Sequence, residues 1–268
     1  MTPKNFVYLS DHGDDEYVNM LAIAASGVVT NTSEFDFTSN NNPIVLRGIL
    51  KNKIMTKCRQ AGRDFYYVDS GYLGNAVSPK NQLGRKLWHR IVKNGLQHTE
   101  LRTRPADRLQ RVGISWARQQ LRGSKIIVAA PDEKPCRHYG IDLEAWINNT
   151  VATLKQHTDR EIIVRQRTKN REVRMLHDPL SKVLTQDVHA LVTFNSNAAV
   201  EAIITGVPAF VLAPEHAALP VASQDLSMIE TPFWPDSDLI HKWLCHLSYC
   251  QFHVSELRHT NIWNIINE

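Results

Sequence analysis

Seven short runs rich in β-branched and aromatic residues alternate with stretches long enough to form helices, and this alternation limits the possible folds more than any other feature. The runs fall at residues 6–9, 44–46 and 65–68, and then at 125–129, 161–164, 190–194 and 209–212. Strands separated by helices are predicted to lie parallel, because each crossover returns the chain in the same direction. Between the second and third runs, residues 49–61 have the length of a crossover helix and end at Gly62, a residue suited to the left-handed stop. Gly123 precedes KIIVAAP, a helix is predicted over 142–157, and EIIVRQR, ALVTF and AFVL read as buried strands. The expected class is α/β: two Rossmann-like domains with parallel sheets, residues 1–120 and 121–268, joined somewhere in 112–124.

Length agrees with this division, since 268 residues are too many for one small core and enough for two ordinary halves. With 43% hydrophobic and 22% charged residues, the composition is that of a globular protein rather than a disordered or fibrous one. No run approaches 18 uncharged apolar residues, and MTPKNFVYLSDHGDDEY lacks the apolar region of a signal peptide, so a cytoplasmic protein without stable membrane association is expected. Cys58, Cys136, Cys245 and Cys250 form no CxxC pair, which suits a reducing compartment. Residues 80–125 hold twelve Lys or Arg against two acids, in a chain of net charge +4. Such a stretch suits a polyanion through counterion release, or a solvated helical surface with a charged connection.

The most informative segment is ALVTFNSNAAVEAIITGVPAFVL, residues 190–212. A buried strand leads through Asn195, Ser196 and Asn197 into a helix that Gly206 and Pro208 stop before the next strand. The first amide groups of that helix face the carboxyl end of the sheet, where unpaired N–H groups and the helix dipole can hold a diphosphate. Glu201, one turn along, can accept from ribose hydroxyls. An ordinary capped helix with a surface glutamate reads the same way. Upstream, EIIVRQRTK sends Arg165, Arg167 and Lys169 out at a strand end, with the two arginines on one side. Guanidinium forks suit a diphosphate, though strand-end arginines also make surface ion pairs. In PDEKPCRHYG, Lys134 and Tyr139 sit near the end of the preceding strand.

The pattern SNAAVEAIITGVP resembles the donor-site signature of GT-B glycosyltransferases, over about 20 residues closely and over 125–268 loosely. This resemblance implies two Rossmann-like domains facing across a cleft, with an acceptor-binding first half and a nucleotide-sugar-binding second half. It implies that Ser196 and Asn197 hold phosphate and Glu201 the ribose, with Arg165, Arg167, Lys169 and Lys134 completing the donor site. No metal or other cofactor is expected; the donor substrate is a nucleoside-diphosphate sugar, a UDP-sugar first. The first half departs from the pattern in lacking a clear glycine-rich first loop.

On the acceptor side, FYYVDSGYLGN delivers Asp69 to a strand's carboxyl end before a glycine-containing turn. Transfer to a hydroxyl needs a base within reach of its proton, and Asp69 is the expected base, unless it only forms a turn with its own backbone. His12, Asp14 and Asp15 compete for that role, or form an acid-rich helix start. Tyr72, Arg90, Lys93 and His98 are expected to contact the acceptor. In KLWHRIVKNGLQH, basic and aromatic residues interleave as they do in nucleic-acid sites, and also as on a half-buried helix with a basic exterior. Together these features resemble the phage glycosyltransferases that decorate hydroxymethylated DNA bases, which implies double-stranded DNA carrying hydroxymethylcytosine as acceptor. A polysaccharide or lipid-linked sugar is the alternative acceptor, and a non-catalytic DNA-binding or sugar-nucleotide-binding protein the alternative class.

Two further patterns read as structure. Asp236-Ser237-Asp238 spells D-x-D but opens a helix, where Ser and Asp serve as caps. His241, Cys245, His246, Cys250 and His253 lack a closed four-ligand spacing. Leu239, Trp243, Leu247 and Cys250 make one apolar face of a helix over 237–250. There is no GxxxxGK[ST], HExxH or GxSxG.

Overall fold

The computed structural model describes residues 3–11, 15–78, 80–166 and 179–268. The chain divides into two units, one formed by Met1–Tyr72, Lys86–His98 and Ser248–Glu268, the other by Leu73–Arg85 and Thr99–Leu247. It therefore passes between units at 72/73, 85/86, 98/99 and 247/248, whereas the sequence places one boundary near residue 120.

In the first unit, β1 (Val7–Ser10), β2 (Val28–Asn31), β3 (Ile44–Arg47) and β4 (Phe65–Ser70) run parallel. β5 (Trp88–Lys93) lies antiparallel to β4, and β10 (Gln251–His253) antiparallel to β5. The sheet order is β10-β5-β4-β3-β1-β2. Helix α1 (Glu16–Ala24) joins β1 to β2, its N-terminus capped by Asp15, whose Oδ1 accepts the Val18 N–H at 3.2 Å. Helix α2 (Asn52–Ala61) joins β3 to β4 and ends on left-handed Gly62 as its sequence predicts. One face of the sheet packs Tyr8, Val45, Tyr66, Val68 and Ile91 against Val18, Leu21 and Ala22 of α1.

In the second unit, β6 (Lys125–Ala129), β7 (Ile162–Arg165), β8 (Val188–Thr193) and β9 (Ala209–Val211) are all parallel, in the order β7-β6-β8-β9. Short α3 (Asp107–Val112) precedes them; α4 (Glu133–Tyr139) and α5 (Leu143–Leu154) link β6 to β7; α6 (Leu180–Val183) precedes β8. Helix α7 (Ala198–Thr205) links β8 to β9. Ile126, Val128, Leu154, Ala190, Val192 and Phe210 form the core. Gly206 and Gly123 sit where a side chain would be crowded. A Cβ on Gly206 (φ 101°) would come within 3.0 Å of both Ala117 and the Gln119 carbonyl, and one on Gly123 within 2.3 Å of the Val188 carbonyl carbon. Helix α8 (Ser237–Tyr249) follows, and Asp236 Oδ1 accepts the Leu239 N–H at 2.7 Å, the capping role read for this D-x-D. The chain is thus α/β as expected, but only the second sheet is wholly parallel; the first adds two antiparallel strands, β5 and β10, beside its four parallel ones.

The basic stretch is not a single helical face. Within it WHRIVK forms β5, a strand with five of its six residues buried, and the basic residues of the whole 80–125 stretch are divided between the units. Arg90 and Arg108 are buried at 7% and 8% exposure. Lys93 pairs with Asp64 at 2.9 Å, Arg102 with Glu100 at 3.2 Å, and Lys80 donates to the Gly113 carbonyl at 3.0 Å.

Candidate functional site

The order of the second sheet creates a natural ligand position. From β6 the chain moves to β7 on one side, and from β8 to β9 on the other, so the loops leaving β6 and β8 diverge at the sheet's carboxyl edge. A crevice at such a reversal is where open α/β sheets bind ligands. Thr193 ties the two strand ends together by donating its hydroxyl to the Ala129 carbonyl at 2.8 Å. Above β8, Phe194 meets Tyr139 edge-on at 5.0 Å between ring centroids, and Trp146 at 6.5 Å.

Helix α7 starts at this edge. Asn195, Ser196 and Asn197 are half-buried, so the helix start is not sealed in the core. Ser196 Oγ accepts the Ala198 N–H at 3.2 Å, and the Ser196 carbonyl accepts the Ala199 N–H at 3.2 Å. The hydroxyl expected to hold phosphate therefore also serves its own helix. His216 fixes the same turn from 20 residues away. Its Nδ1 accepts the Ala218 N–H at 3.0 Å, which assigns the proton to Nε2, and Nε2–H donates to the Ser196 carbonyl at 3.0 Å. Fully buried His216 carries no local motif that would announce this role.

Glu201 is half-buried, and burial of its carboxyl group pushes its pKa up to about 7 against the opposing charge of Arg165. Arg165 closes β7, and its carbonyl accepts the Ala130 N–H at 3.0 Å. Arg165, Ser196, Asn197 and Glu201 thus gather at one edge, while Lys134 is exposed in the first turn of α4. Arg167 and Lys169 lie outside the described residues.

At the carboxyl edge of the first sheet, Asp69 is enclosed by partners. Oδ2 accepts from Tyr67 Oη at 2.8 Å and Arg90 Nη2 at 3.0 Å, and Oδ1 accepts the Ser70 N–H at 2.7 Å. Burial acts to raise its pKa, but Arg90, the Ser70 N–H and Tyr67 together hold it below the usual carboxylate value. A carboxylate so stabilised is a weak proton acceptor near neutral pH. Arg90 also donates from Nε to the Leu96 carbonyl at 3.1 Å and from Nη1 to the Ser70 carbonyl at 2.7 Å. Its guanidinium lies 5.2 Å from the ring of Tyr72, whose hydroxyl meets His98 Nδ1 at 3.1 Å and accepts the His98 N–H at 3.0 Å. Asp69, Arg90, Tyr72 and His98 are brought together as a brace across β4 and β5, which uses the groups expected to meet an acceptor.

Lys93 stands apart: it pairs across from Tyr66 at the amino end of β4, whereas Arg90 pairs across from Asp69 at the other end. Asp15 caps α1 and meets Arg47 at 3.6 Å, the helix-start reading of that acidic loop. His12 and Asp14 lie outside the described residues. Among the described residues no group of three or more His, Cys, Asp or Glu is placed to hold a metal ion, and no helix is long and apolar enough to cross a membrane.

No protein-family model matches the chain, and no curated protein sequence matches it. Two solved structures from Thermosulfurimonas dismutans are similar in fold. KpsC, beta Kdo 2,7 transferase, superposes with a TM-score of 0.50 at 9% identity, over 98% of each chain. KpsC, beta Kdo 2,4 transferase, gives a TM-score of 0.47 at 12% identity, over 91% of this chain and 99% of its own. At these identities the likeness to the 2,7 transferase shows a shared α/β fold alone.

Proposed function

We propose that the chain is a GT-B-type glycosyltransferase whose second unit binds a nucleoside-diphosphate sugar, a UDP-sugar first, and whose first unit takes a hydroxyl acceptor. The observation that carries this reading is the start of α7 at the strand-order reversal, with the Glu201 carboxyl group and the Arg165 charge beside it. In this reading the helix start and Arg165 hold the diphosphate, joined by Arg167, Lys169 and Lys134, and Glu201 accepts from the ribose hydroxyls. The acceptor oxygen bonds to the anomeric carbon as the bond to the diphosphate breaks. The electron pair leaves with the diphosphate, and the hydroxyl proton passes to a base or to solvent. The resemblance in fold to a solved transferase supports the architecture but does not assign the chemistry.

We place a saccharide hydroxyl ahead of hydroxymethylcytosine in DNA as the acceptor. The basic residues that suggested a polyanion are divided between the units, and several are buried or paired. The test has two arms. Native mass spectrometry and calorimetry with nucleoside mono- and diphosphates measure the donor site, where Glu201→Gln is expected to weaken nucleotide binding by about tenfold. Incubation with sugar nucleotides plus either saccharides or hydroxymethylcytosine duplex, followed by mass analysis, identifies the acceptor. A protein that binds no nucleotide at millimolar concentration is not this enzyme; a glycosylated duplex with untouched saccharides would restore the DNA acceptor.

A further inference from the structure

Three buried polar atoms on one face of the first sheet have no hydrogen-bond partner: Arg47 Nε, Ser70 Oγ and His89 Nδ1. They come from neighbouring strands at one place. Ser70 lies directly across from His89 in the antiparallel pairing of β4 and β5, and Arg47 lies across from Val68, two residues before Ser70. Directly paired residues and residues two apart share a face, so all three side chains leave the sheet on the same side. This is also the face on which α1 starts. Tyr17, in its first turn, lies with its ring centroid 3.8 Å from that of His89 and 4.7 Å from the Arg47 guanidinium carbon. Arg47 retains 28% side-chain exposure and Ser70 is half-buried, so solvent reaches these two residues, while His89 is 0% exposed and the three unpaired atoms themselves are buried.

The unmet valences define what fits. His89 Nε2 lies 3.1 Å from the Lys86 carbonyl, which can only accept, so the ring proton sits on Nε2 and Nδ1 presents a lone pair. Burial first, and then the charge of Arg47, lowers the His89 pKa to about 4, so the ring is neutral near pH 7. Nδ1 therefore needs a donor, Arg47 Nε–H needs an acceptor, and Ser70 Oγ serves as either. A carboxylate or phosphate oxygen would satisfy Arg47 but would oppose the His89 lone pair. A hydroxyl group meets both needs, accepting from Arg47 and donating to His89, and a second hydroxyl on the adjacent carbon can reach Ser70. Buried polar atoms left unpaired are costly, so a ligand that pairs all three gains more here than at an open surface. The brace of Asp69, Arg90, Tyr72 and His98 occupies the opposite face of β4 and β5, so this cluster is distinct from it.

We propose that Arg47, Ser70 and His89 form a recognition site for the vicinal hydroxyls of an uncharged sugar, the acceptor saccharide of the reaction proposed above. The assignment rests on that reading for the sugar's role, whereas the binding itself does not. It is tested on the full chain with histidine ring nitrogens labelled with ¹⁵N, titrated with methyl pyranosides of mannose, galactose and glucose, and separately with methyl glucuronide as the acidic probe. At least one neutral glycoside is expected to shift one Nδ1 signal saturably, that signal being absent in His89→Phe. Ser70→Ala and Arg47→Lys, which keep the size or the charge, are each expected to weaken the binding about tenfold or more. The proposal is overturned if no neutral glycoside gives a saturable shift, which leaves a bridging water as the partner of these atoms. It is equally overturned if only the glucuronide binds, or if Ser70→Ala and Arg47→Lys bind as the parent does. Nucleotide titrated into the same samples separates the two readings. Nucleotide binding without a sugar response refutes this site alone, and a sugar response without nucleotide binding keeps the site and refutes the transferase.

Discussion

At Glu201 the cost of taking a carboxyl group out of water opposes the attraction of Arg165, and burial prevails, so the proton is held to about pH 7 rather than 4.5. In the unfolded chain the same group releases its proton near its ordinary value. Between those limits the folded state binds more protons, so this residue's contribution to stability falls as pH rises from about 4.5 to about 7 and stays lost above. Below both values there is no penalty. Glu201→Gln removes the effect and is expected to raise stability at pH 8 by about 1–2 kcal/mol, after allowance for partial exposure, with no gain at pH 4. Urea midpoints at the two pH values measure it. A residue that costs stability while it lies beside the strand reversal fits use in binding rather than folding. If its ionised form accepts from ribose, affinity for a UDP-sugar should rise with pH through about 7 in the parent and stay flat in the variant. The position of Ser196 and Glu201 at the start of a helix was legible because turn residues and helical spacing act within a few residues. His216 was not, because its hydrogen bond to the Ser196 carbonyl spans 20 residues of chain. Asp69 was legible as a strand-end carboxylate, but its pairing with Arg90 depends on an antiparallel neighbour 21 residues on, which local sequence does not specify.

Among elements, the strands that sequence located best are the interior parallel ones, because burial on both faces demands continuous β-branched runs such as KIIVA and ALVT. EIIVR, which reads as a buried strand, instead supplies the edge strand β7, with Ile163 and Val164 exposed. β5 escaped because basic and aromatic residues alternate with apolar ones in WHRIVK, a string that also suits a helix, and only tertiary pairing of Arg90 with Asp69 explains a charge inside it. β2 escaped as an edge strand with exposed Val28 and Val29, and β10 because three residues carry no period. The stop of α7 was legible from Gly206-Val207-Pro208, and the structure adds a second reason for that glycine. The backbone there has φ 101°, and a Cβ would come within 3.0 Å of Ala117 and of Leu121. These residues belong to the segment that hydrogen-bonds to the end of α7, through Ala117 N–H to the Ile204 carbonyl at 2.8 Å and Leu121 N–H to the Gly206 carbonyl at 2.7 Å. Gly206→Ala therefore combines left-handed strain with contacts tighter than side chains usually make, and is expected to destabilise by about 2 kcal/mol. A lower urea midpoint at unchanged slope would register it, and a variant within about 0.5 kcal/mol of the parent would show that these contacts relax freely.

At the scale of the whole molecule, the order of residues along the chain is not the order of the units, and this part of the fold was the least legible. The two-half plan rests on strand order, and strand order does not reveal that a chain which has completed its second parallel sheet returns to the first. Ser248–Glu268 do so: β10 pairs with β5, and Phe252, Leu257, Ile262 and Trp263 enter the same core as Phe6, Tyr8 and Tyr66. Trp263 meets the rings of Phe6 and Tyr66 edge-on, each at 5.2 Å between centroids. Four buried side chains of this size, at about 1.5–3 kcal/mol each, amount to roughly 6–12 kcal/mol, comparable with the whole stability of an ordinary domain. A chain ending at Leu247 is therefore expected to lose the first unit cooperatively. In hydrogen exchange by mass spectrometry, amides of β1, β3 and β4 should exchange as in an unfolded chain. Those of β6, β8 and α7 should keep their protection, because the second unit's core, from Ile126 to Ile229, contains none of the deleted residues. Protection retained in β1 and β4 would mean that the parallel strands suffice for that unit and that the returning segment only covers an edge.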